Sequence, residues 1–260
     1  MKIQKFHVDA FTDKLFKGNP AVVCLLNNWI SDELLQNIAS ENNLSETAFL
    51  VKRDNFYQIR WFSPKTEIDL CGHATLAAAF VIFGFTEFNT EELILKSQTD
   101  VLKIKRKKDL YSMEFPLRKP VNISHKIPDY RQILGENVKE LLASRDLIAV
   151  YESKDEILKF KPDFDLISSI GYSGLCITAK GDKYDFISRY FAPGEGINED
   201  PVTGSAHCSL VPFWATKLRK NSFNAFQLSH RGGYLKCVMK NKNILISGKA
   251  KLFSQGEILI

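Results

Sequence analysis

The sequence lacks the features that would mark it as a membrane or nucleic-acid-binding protein. Its longest apolar run, Leu76 to Phe83, is far shorter than the roughly 20 residues that cross a bilayer. The net charge is only +5, and the basic residues are scattered. One basic run, Lys103 to Lys108, is flanked by apolar residues on both sides, which predicts a hairpin with a charged, solvated turn. We therefore expect no membrane and no nucleic-acid partner.

Cysteine is also scarce. The chain has five cysteines, an odd number that does not suit a framework of disulfides. The first residues, Met1 to Asp9, have the pattern of a charged strand and not that of a secretory signal. Thiols that stay reduced are typical of the cytoplasm, so the sequence predicts a cytoplasmic protein.

Two familiar catalytic patterns are missing as well. Gly171–Gly174 reads G-Y-S-G, but no G-x-S-x-G elbow is present, which argues against a serine hydrolase. Cys71, His73, His207 and Cys208 invite a zinc interpretation, yet their spacings are not those of known zinc sites. Because each pair lies at a helix start, its members are expected to diverge around the axis. The sequence therefore predicts no metal site.

The chain does contain one pattern twice. R-W-F-S-P from Arg60 to Pro64 is followed by D-L-C-G-H-A-T, and R-Y-F-A-P from Arg189 to Pro193 is followed by E-D-P-V-T-G-S-A-H. In each copy an aromatic strand ends in proline, and a glycine, Gly72 or Gly204, is predicted to open a small-residue helix. A repeat spaced by about half the chain predicts two halves of similar fold. Two helix N-termini facing one cleft would offer unpaired N–H groups to an anionic small molecule.

Local patterns place secondary structure around these motifs. Lys2 to Ala10 is predicted as a strand, and Ser31 as the N-cap of a helix. The helix from Gly72 to about Phe83 is apolar nearly all round, which predicts a buried helix with a sheet wrapped around it. Weak helical patterns cover Tyr130 to Ile133 and Val138 to Ser144. The helix opened by Thr203 and Gly204 should run toward Thr216, with Pro212 predicting a kink or an early end.

A proline-rich connection beginning at Phe115 and Pro116 predicts the domain boundary. Residues 1–115 would form the first pseudo-repeat half and residues 116–260 the second. The last strand, Glu257 to Ile260, is a candidate to return to the first half.

Six blocks of sequence follow one another over nearly the whole chain: Phe6–Phe11 (F-H-V-D-A-F), Gly18–Ala21 (G-N-P-A), Leu44–Thr47 (L-S-E-T), Asp69–Thr75 (D-L-C-G-H-A-T), Glu199–His207 (E-D-P-V-T-G-S-A-H) and Arg231–Gly233 (R-G-G). Together they resemble the PhzF-like phenazine-biosynthesis family. Each block alone would be weak, but their common order makes chance similarity an inadequate explanation.

The resemblance implies a diaminopimelate-epimerase-like α+β fold. Two pseudo-equivalent halves would each form a barrel-like, mostly antiparallel sheet around a central helix, with the active site in the cleft between them. Members of the family are cofactor-independent isomerases or proteins of unknown substrate, commonly homodimeric. The best known reaction moves a proton along a dihydro-hydroxyanthranilate skeleton, which implies a small anionic substrate and no cofactor.

The resemblance also assigns residues to the site. Glu46 matches the family's acid/base glutamate, His73 its active-site histidine, and Asp200 a second acidic residue. Ser45, Gly72, Gly204 and Ser205 are expected to contact the substrate. Without the resemblance, Glu46 would be a solvated loop residue, His73 a packing residue and Asp200 a turn or capping residue.

The chemistry that the resemblance implies requires only a few catalytic groups. A carboxylate in a closed, partly apolar cleft acquires a raised pKa and can take and return a proton near neutral pH. On this hypothesis Glu46 moves the proton, while His73 and Asp200 orient the substrate or relay protons. The helix N-termini would hold a substrate carboxylate.

Two alternatives remain open within the same fold. Amino-acid racemases and epimerases of this fold use paired cysteines, one from each half. Cys71 precedes Gly72, but Thr203 precedes Gly204, and Cys208 lies one helical turn further on. The second alternative is a small-molecule-binding protein that keeps the cleft without turnover. The combination of Glu46, His73 and Asp200 favours an enzyme.

Overall fold

The computed structural model describes all residues from 1 to 260, and its internal contacts divide the chain into two compact units. Unit 1 comprises residues 1–114 and 247–260, and unit 2 comprises residues 115–246. The fold is α+β and dominated by strands, as predicted. None of its helices combines the length and the apolar character that crossing a membrane requires.

Eighteen strands and six α-helices follow one another along the chain. The strands are β1 (Lys2–Ala10), β2 (Asn19–Leu26), β3 (Glu46–Lys52), β4 (Tyr57–Phe62), β5 (Glu67–Ile68), β6 (Glu92–Lys96), β7 (Val101–Lys107), β8 (Leu110–Pro116), β9 (Val121–Asn122), β10 (Glu140–Ala143), β11 (Leu147–Val150), β12 (Leu175–Lys180), β13 (Phe186–Ala192), β14 (Ile197–Asp200), β15 (Ser222–Gln227), β16 (Gly233–Lys240), β17 (Asn243–Gly248) and β18 (Ala250–Leu259). The helices are α1 (Asp32–Asn42), α2 (Gly72–Phe85), α3 (Ile127–Leu134), α4 (Lys154–Lys159), α5 (Phe164–Ser168) and α6 (His207–Leu218).

Unit 1 is a mostly antiparallel sheet packed on α2. β1 pairs with β18 on one side and β2 on the other, both antiparallel, and β2 runs parallel to β3. β4 is antiparallel to β3 and β5 and parallel to β6, which continues antiparallel into the β7–β8 hairpin. α2 packs against β1, β2, β3 and β18. Its apolar residues are buried on nearly every side, as the sequence predicts.

Unit 2 repeats this strand order. β10 and β11 are antiparallel, β12 runs parallel to β11, and β13 is antiparallel to β12 and to β14. β15 is then parallel to β13 and antiparallel to β16, and α6 packs on β16. The pairing sequence matches that of β1 to β7 step for step. The two pseudo-equivalent halves predicted from the sequence repeat are confirmed.

Several local predictions are also confirmed. β1 covers the predicted strand, and the predicted basic hairpin is β7–β8, with Lys108 at positive φ in its turn. Ser31 caps α1, accepting a hydrogen bond from the backbone N–H of Leu34 at 3.4 Å. β18 pairs with β1 along its whole length, so residues 247–260 are part of unit 1. The pseudo-repeat boundary at residue 115 stays a prediction.

Two predictions about helices are wrong. Val138 to Ser144 contains the strand β10 and not a helix, because Leu141 and Leu142 are held between β9 and β11. The second, α6, begins at His207 and not at Gly204.

Pro212 neither ends nor shortens α6, which continues to Leu218. Proline lacks the N–H that would bond to the carbonyl of Cys208, one turn earlier. The backbone N–H of Arg118 donates to that carbonyl instead, at 3.0 Å. The connection after β8 therefore satisfies the oxygen atom that proline leaves without its helical partner.

Candidate active site

Glu46 and His73 meet in unit 1. Glu46 is the first residue of β3, where it pairs in register with Ala21 of β2, and His73 is the second residue of α2. Glu46 Oε2 lies 2.9 Å from His73 Nε2, and both residues are buried, at 7% and 5% exposure. From the sequence, only the family resemblance predicted that Glu46 and His73 belong to one site.

The neighbours of His73 shift its pKa. Burial lowers the pKa of His73, but a Cys71 thiolate and the Glu46 carboxylate each raise it, and the result lies well above the usual value. Burial raises the pKa of Cys71 to about 11, and the charge of Glu46 adds to the rise. Cys71 is a neutral thiol at neutral pH, so the part of this rise that remains there comes from the Glu46 carboxylate.

Asn19 lies on the other side of the imidazole ring. Its amide nitrogen is 3.1 Å from His73 Nδ1, and the residue is fully buried. Gly18, just before it, has φ +67°, and a Cβ there would overlap the carbonyl oxygen of Ala10. The turn that places Asn19 therefore requires glycine. An amide can donate or accept, so Asn19 can serve the ring in either protonation state.

Cys71 completes the group around His73. It is the N-cap of α2, and its Sγ lies 3.4 Å from His73 Nδ1, so the prediction that these side chains diverge is wrong. One ligand atom from each of Glu46, Cys71 and His73 lies within 4.8 Å of the others. These three residues are therefore the set in this structure that could hold a metal ion.

Asp200 lies in unit 2, at the end of β14. Its Oδ2 accepts a hydrogen bond from Thr203 Oγ1 at 2.5 Å. Gln227, almost fully buried, accepts from the Thr203 N–H at 2.8 Å and donates to the Asp200 carbonyl at 2.7 Å and to Thr203 Oγ1 at 3.1 Å. This loop is held by side chains that satisfy one another, and Asp200 orients Thr203.

His207 is fully buried at the start of α6. Its Nδ1 lies 2.9 Å from the carbonyl oxygen of Thr203, which fixes the tautomer that carries hydrogen on Nδ1. Burial lowers its pKa to about 4, although the Thr203 carbonyl raises it in part. Nε2 is buried and has no hydrogen-bond partner. His207 is a neutral residue, and its pairing with Cys208 in a metal site receives no support from this geometry.

Gly204 and Ser205 form the turn before α6. The first bond of this turn runs from His207 N to the Gly204 carbonyl at 3.1 Å, so the N–H groups of Gly204, Ser205 and Ala206 precede it. Ser205 Oγ accepts a hydrogen bond from Arg145 Nη2 at 3.0 Å. Ser205 is partly exposed in this turn, whereas Gly204 and Ala206 are buried, and the helix begins three residues later than predicted.

Ser45 and Gly72 each precede a residue of the buried pair. Ser45 is partly exposed and comes immediately before Glu46, and Gly72 is the first residue of α2. The structure thus brings Glu46 and His73 together in unit 1, with Ser45 and Gly72 as chain neighbours. It brings Asp200, Gly204 and Ser205 into one loop of unit 2.

Several residues of these sites were not predicted. Asn19 and Cys71 lie inside the matched blocks, so their positions could have been suspected from the motif. Gln227, Arg145 and Asp146 belong to no motif, and only tertiary structure places them beside Thr203 and Ser205.

Comparisons with known proteins agree with this architecture. The family described as phenazine biosynthesis-like protein matches residues 8–256. An uncharacterized isomerase of Pseudomonas aeruginosa is 43% identical over 259 residues, covering 99% of each chain. A crystal structure of a PhzF-family phenazine biosynthesis protein from Enterococcus faecalis superposes with a TM-score of 0.97 at 44% identity, covering 100% of both chains.

A more distant likeness concerns the fold alone. A protein described as a predicted epimerase, also from Pseudomonas aeruginosa, has a TM-score of 0.81 at 15% identity over 99% of each chain. The names of the nearer relatives support an isomerase-type activity. With a family match over nearly its whole length and relatives above 40% identity, this chain belongs to the PhzF family of phenazine biosynthesis-like proteins.

Proposed function

We propose that the protein is a cofactor-independent isomerase that moves a proton on a small carboxylate-bearing substrate, with Glu46 as the acid/base group. The observation that carries the proposal is the buried pair of Glu46 and His73, whose Oε2 and Nε2 atoms lie 2.9 Å apart. A buried carboxylate beside a titratable imidazole is an arrangement suited to proton transfer. Membership of a family whose relatives are named isomerases supports the same reaction class.

In the proposed reaction the Glu46 carboxylate takes a proton from a substrate carbon beside an electron-withdrawing group. The C–H electron pair delocalises into the substrate, and His73, protonated at neutral pH, stabilises the negative charge that develops. The proton on the Glu46 carboxyl exchanges with solvent, and Glu46 then delivers a proton to another carbon. The substrate is isomerised with no net gain or loss of protons or electrons, so the reaction needs no cofactor.

We further propose supporting roles for the remaining site residues. Asp200 orients Thr203 through its hydrogen bond, and Ser45, Gly72, Gly204 and Ser205 bind substrate. If Asp200 also relays protons, Asp200→Asn should reduce kcat and leave KM nearly unchanged. If it only orders the loop, the same variant should raise KM and lower the melting temperature together.

The test of Glu46 is solvent-deuterium incorporation. Wild type and Glu46→Gln are incubated in D₂O with a panel of small carboxylate-bearing carbon acids that includes a dihydro-hydroxyanthranilate, and NMR follows the exchange. We expect deuterium at a substrate carbon with wild type and a rate about 10²- to 10⁴-fold lower with Glu46→Gln, since the amide cannot accept the proton.

Glu41→Gln is the matched control, because Glu41 is exposed on α1 and has the same side chain. The control should exchange at the wild-type rate. Full exchange by Glu46→Gln would remove Glu46 from the mechanism. Absence of exchange across the panel with wild type would favour a binding protein of the same fold.

The two-thiol racemase is the alternative within the fold, and the geometry supports it less well. Cys71 is a buried thiol with a raised pKa, and the equivalent position in unit 2 is Thr203, already hydrogen-bonded to Asp200 and Gln227. A threonine hydroxyl is far too weak an acid to take the place of the second thiol.

We also propose that the protein acts as a cytoplasmic homodimer. All five cysteines are buried and unpaired, which suits a reducing compartment. The dimer rests on family membership, and light scattering of the purified protein tests it: a mass near twice 29.6 kDa is expected, and the mass of one chain would contradict it.

A further inference from the structure

We propose that Glu46, Cys71 and His73 form a zinc-binding site in unit 1, and that zinc bound there inhibits the protein. The ligands are one oxygen of the Glu46 carboxylate, the Cys71 sulfur and His73 Nε2. Zinc is an inhibitor in this proposal and not a cofactor. Binding of zinc rests on the geometry alone, whereas its inhibitory effect rests on the proposed function, in which Glu46 moves the proton.

The three ligand atoms are spaced nearly as a zinc ion requires. Glu46 Oε2 lies 2.9 Å and Cys71 Sγ lies 4.0 Å from His73 Nε2. One ligand atom from each residue lies within 4.8 Å of the others. A tetrahedral zinc ion with bonds of about 2.0–2.3 Å holds its ligand atoms about 3.3–3.7 Å apart. Side-chain shifts of about 0.5–1 Å therefore bring all three atoms onto one ion.

The chemistry of the ligands selects zinc over harder cations. Zinc binds thiolate, imidazole and carboxylate groups, whereas Mg²⁺ prefers oxygen ligands alone. Three protein ligands leave a fourth position for water. The spacing of Cys71 and His73 did not predict the site, because the third ligand comes from β3. The turn of unit 2 has Thr203 and Ser205 at the equivalent positions and offers no such set.

The charges of the ligands match those of a buried zinc ion. A Zn²⁺ ion bound to a thiolate, a carboxylate and a neutral imidazole forms a complex with no net charge. Such a complex avoids most of the cost of burying an uncompensated ion. A thiol that coordinates a metal ion is deprotonated. The hydrogen of the Cys71 thiol, together with any hydrogen on His73 Nε2, therefore passes to the solvent.

Asn19 supports His73 as a ligand from the other side of the ring. Its side-chain amide lies 3.1 Å from His73 Nδ1, and the residue is fully buried. A histidine that binds metal through one ring nitrogen donates the hydrogen of the other to a neighbouring group, which fixes the ring. The Asn19 amide can turn its oxygen toward Nδ1 and accept that hydrogen. Asn19 thus supplies the contact that a zinc-bound histidine needs.

A zinc ion can reach these ligands and block the reaction. The side chains of His73 and Glu46 are 6% and 9% exposed, Cys71 is 6% exposed, and Gly72 between the two helical ligands is partly exposed. The proposed reaction already requires a substrate carbon to approach Glu46, and a zinc ion is smaller than any such substrate. Once bound, zinc occupies both the carboxylate and the imidazole, so neither group can transfer a proton.

Titration of untagged, metal-free protein with Co²⁺ and Zn²⁺ tests the site. Co²⁺ replaces zinc in such sites and gives a thiolate-to-cobalt charge-transfer band. Wild type should develop this band with one Co²⁺ per chain, and an equivalent of Zn²⁺ should abolish it. Isothermal titration calorimetry should give a Kd for Zn²⁺ of about 10 μM or tighter. A large excess of Mg²⁺ should leave the band unchanged.

Variants identify the ligands. Cys71→Ser and His73→Asn should each weaken zinc binding by about 100-fold or more, and Cys71→Ser should also lose the charge-transfer band. The matched controls are Cys208→Ser, at the helix start of unit 2, and His125→Asn, at an exposed position. Both controls should bind zinc as wild type does. Glu46→Gln should bind more weakly and keep the band, because the thiol remains. Melting temperatures establish that each variant is folded.

No charge-transfer band in wild type, a Kd for Zn²⁺ weaker than about 10 μM, or unchanged binding in folded Cys71→Ser and His73→Asn would each overturn the zinc site. Deuterium exchange in the presence of EDTA tests the proposed reaction separately. Zinc should stop that exchange, and further EDTA should restore it. Exchange that continues with zinc bound would overturn the inhibition. Zinc binding without any exchange by the metal-free protein would contradict the proposed reaction and leave the zinc site standing.

Discussion

The two copies of the repeat share a hydrogen bond from a side chain to the backbone and differ in the ionisable side chains that they carry. Residues 71–75 read C-G-H-A-T and residues 203–207 read T-G-S-A-H. At the fifth position of each, a side chain bonds back to the carbonyl of the first: Thr75 Oγ1 donates to Cys71 O at 2.5 Å, and His207 Nδ1 lies 2.9 Å from Thr203 O. An alcohol and an imidazole thus tie down the same turn.

A second device is repeated in the strands before these turns. Arg60 binds Glu67 through two hydrogen bonds, and Arg189 binds Glu199 in the same bidentate way. The groups that differ are those at the first and third positions. Unit 1 has Cys71 and His73 beside Glu46, whereas unit 2 has the hydroxyls of Thr203 and Ser205. The comparison teaches that the two turns keep the same structural hydrogen bonds while a thiol and an imidazole in one are replaced by two hydroxyls in the other.

The largest difference between the two turns should appear when the turn of unit 1 receives the residue at the third position of the turn in unit 2. His73→Ser should lower kcat/KM about 10²- to 10⁴-fold, because Glu46 loses the imidazolium that stabilises charge. Steady-state kinetics on the identified substrate measure this. His125→Ser, at an exposed histidine, is the control and should match wild type. Activity of His73→Ser within threefold of wild type would show that the two turns are chemically equivalent.

A variant of Gln227 tests whether the loop from Asp200 to Thr203 depends on hydrogen bonds from this one side chain. Gln227→Leu removes three hydrogen bonds to Asp200 and Thr203, and we expect the free energy of unfolding to fall by about 3–5 kcal/mol. Urea denaturation measures the loss, with Gln255→Leu on the exposed part of β18 as the control. A loss no larger than that of the control would mean that the loop keeps its shape without Gln227.

His207→Thr gives unit 2 the fifth residue of unit 1. The unfolded state binds a proton at His207 near pH 6.5, but the folded state does so only at about pH 4. Stability from this group is therefore full above pH 6.5 and is lost as pH falls toward 4, by about 3 kcal/mol. His207→Thr should be less stable at pH 7, since packing against Phe186 is lost, and should approach wild type at pH 4.

Unfolding free energies measured by denaturant at both pH values decide this prediction. A constant gap between wild type and His207→Thr from pH 7 to pH 4 would show that His207 does not titrate as its burial implies.

Cys71→Thr gives unit 1 the first residue of unit 2 and should have the smallest effect. Since Glu46 is proposed to move the proton, kcat/KM should fall by less than about tenfold. Threonine occupies a similar volume, and kinetics on the same substrate measure the change. An essential acid/base group contributes about 10²- to 10⁴-fold to the rate. A loss of kcat/KM of about 10³-fold or more would therefore favour the Cys71 thiol over the Glu46 carboxylate as the acid/base group.

The extent of prediction from sequence differed between the elements. α2 was predictable because Leu76, Ala77 and Ala78 continue an apolar pattern with no polar face. The strand β10 was not, since the apolar residues Val138, Leu141 and Leu142 fit a helical spacing equally well. Pairing with β9 and β11, which lie elsewhere in the sequence, decided its conformation.

For the site residues as well, contacts between distant parts of the chain decided what the sequence could not predict. Glu46, His73 and Asp200 were chosen through resemblance to a family, because a lone acidic residue or histidine carries no signal of its own. Arg145 and Gln227 had no such motif, and their partners are 60 and 24 residues away along the chain. Contacts of that range depend on the tertiary structure, which local patterns do not encode.

The pairing of β1 with β18 has a consequence for how the molecule is made. Lys2 lies opposite Leu259, and the backbone N–H of Ile260 donates to the carbonyl of Met1 at 2.9 Å. During synthesis on the ribosome, unit 2 is a continuous stretch that emerges whole, while β1 must wait for residues 247–260. Unit 1 therefore finishes its sheet last.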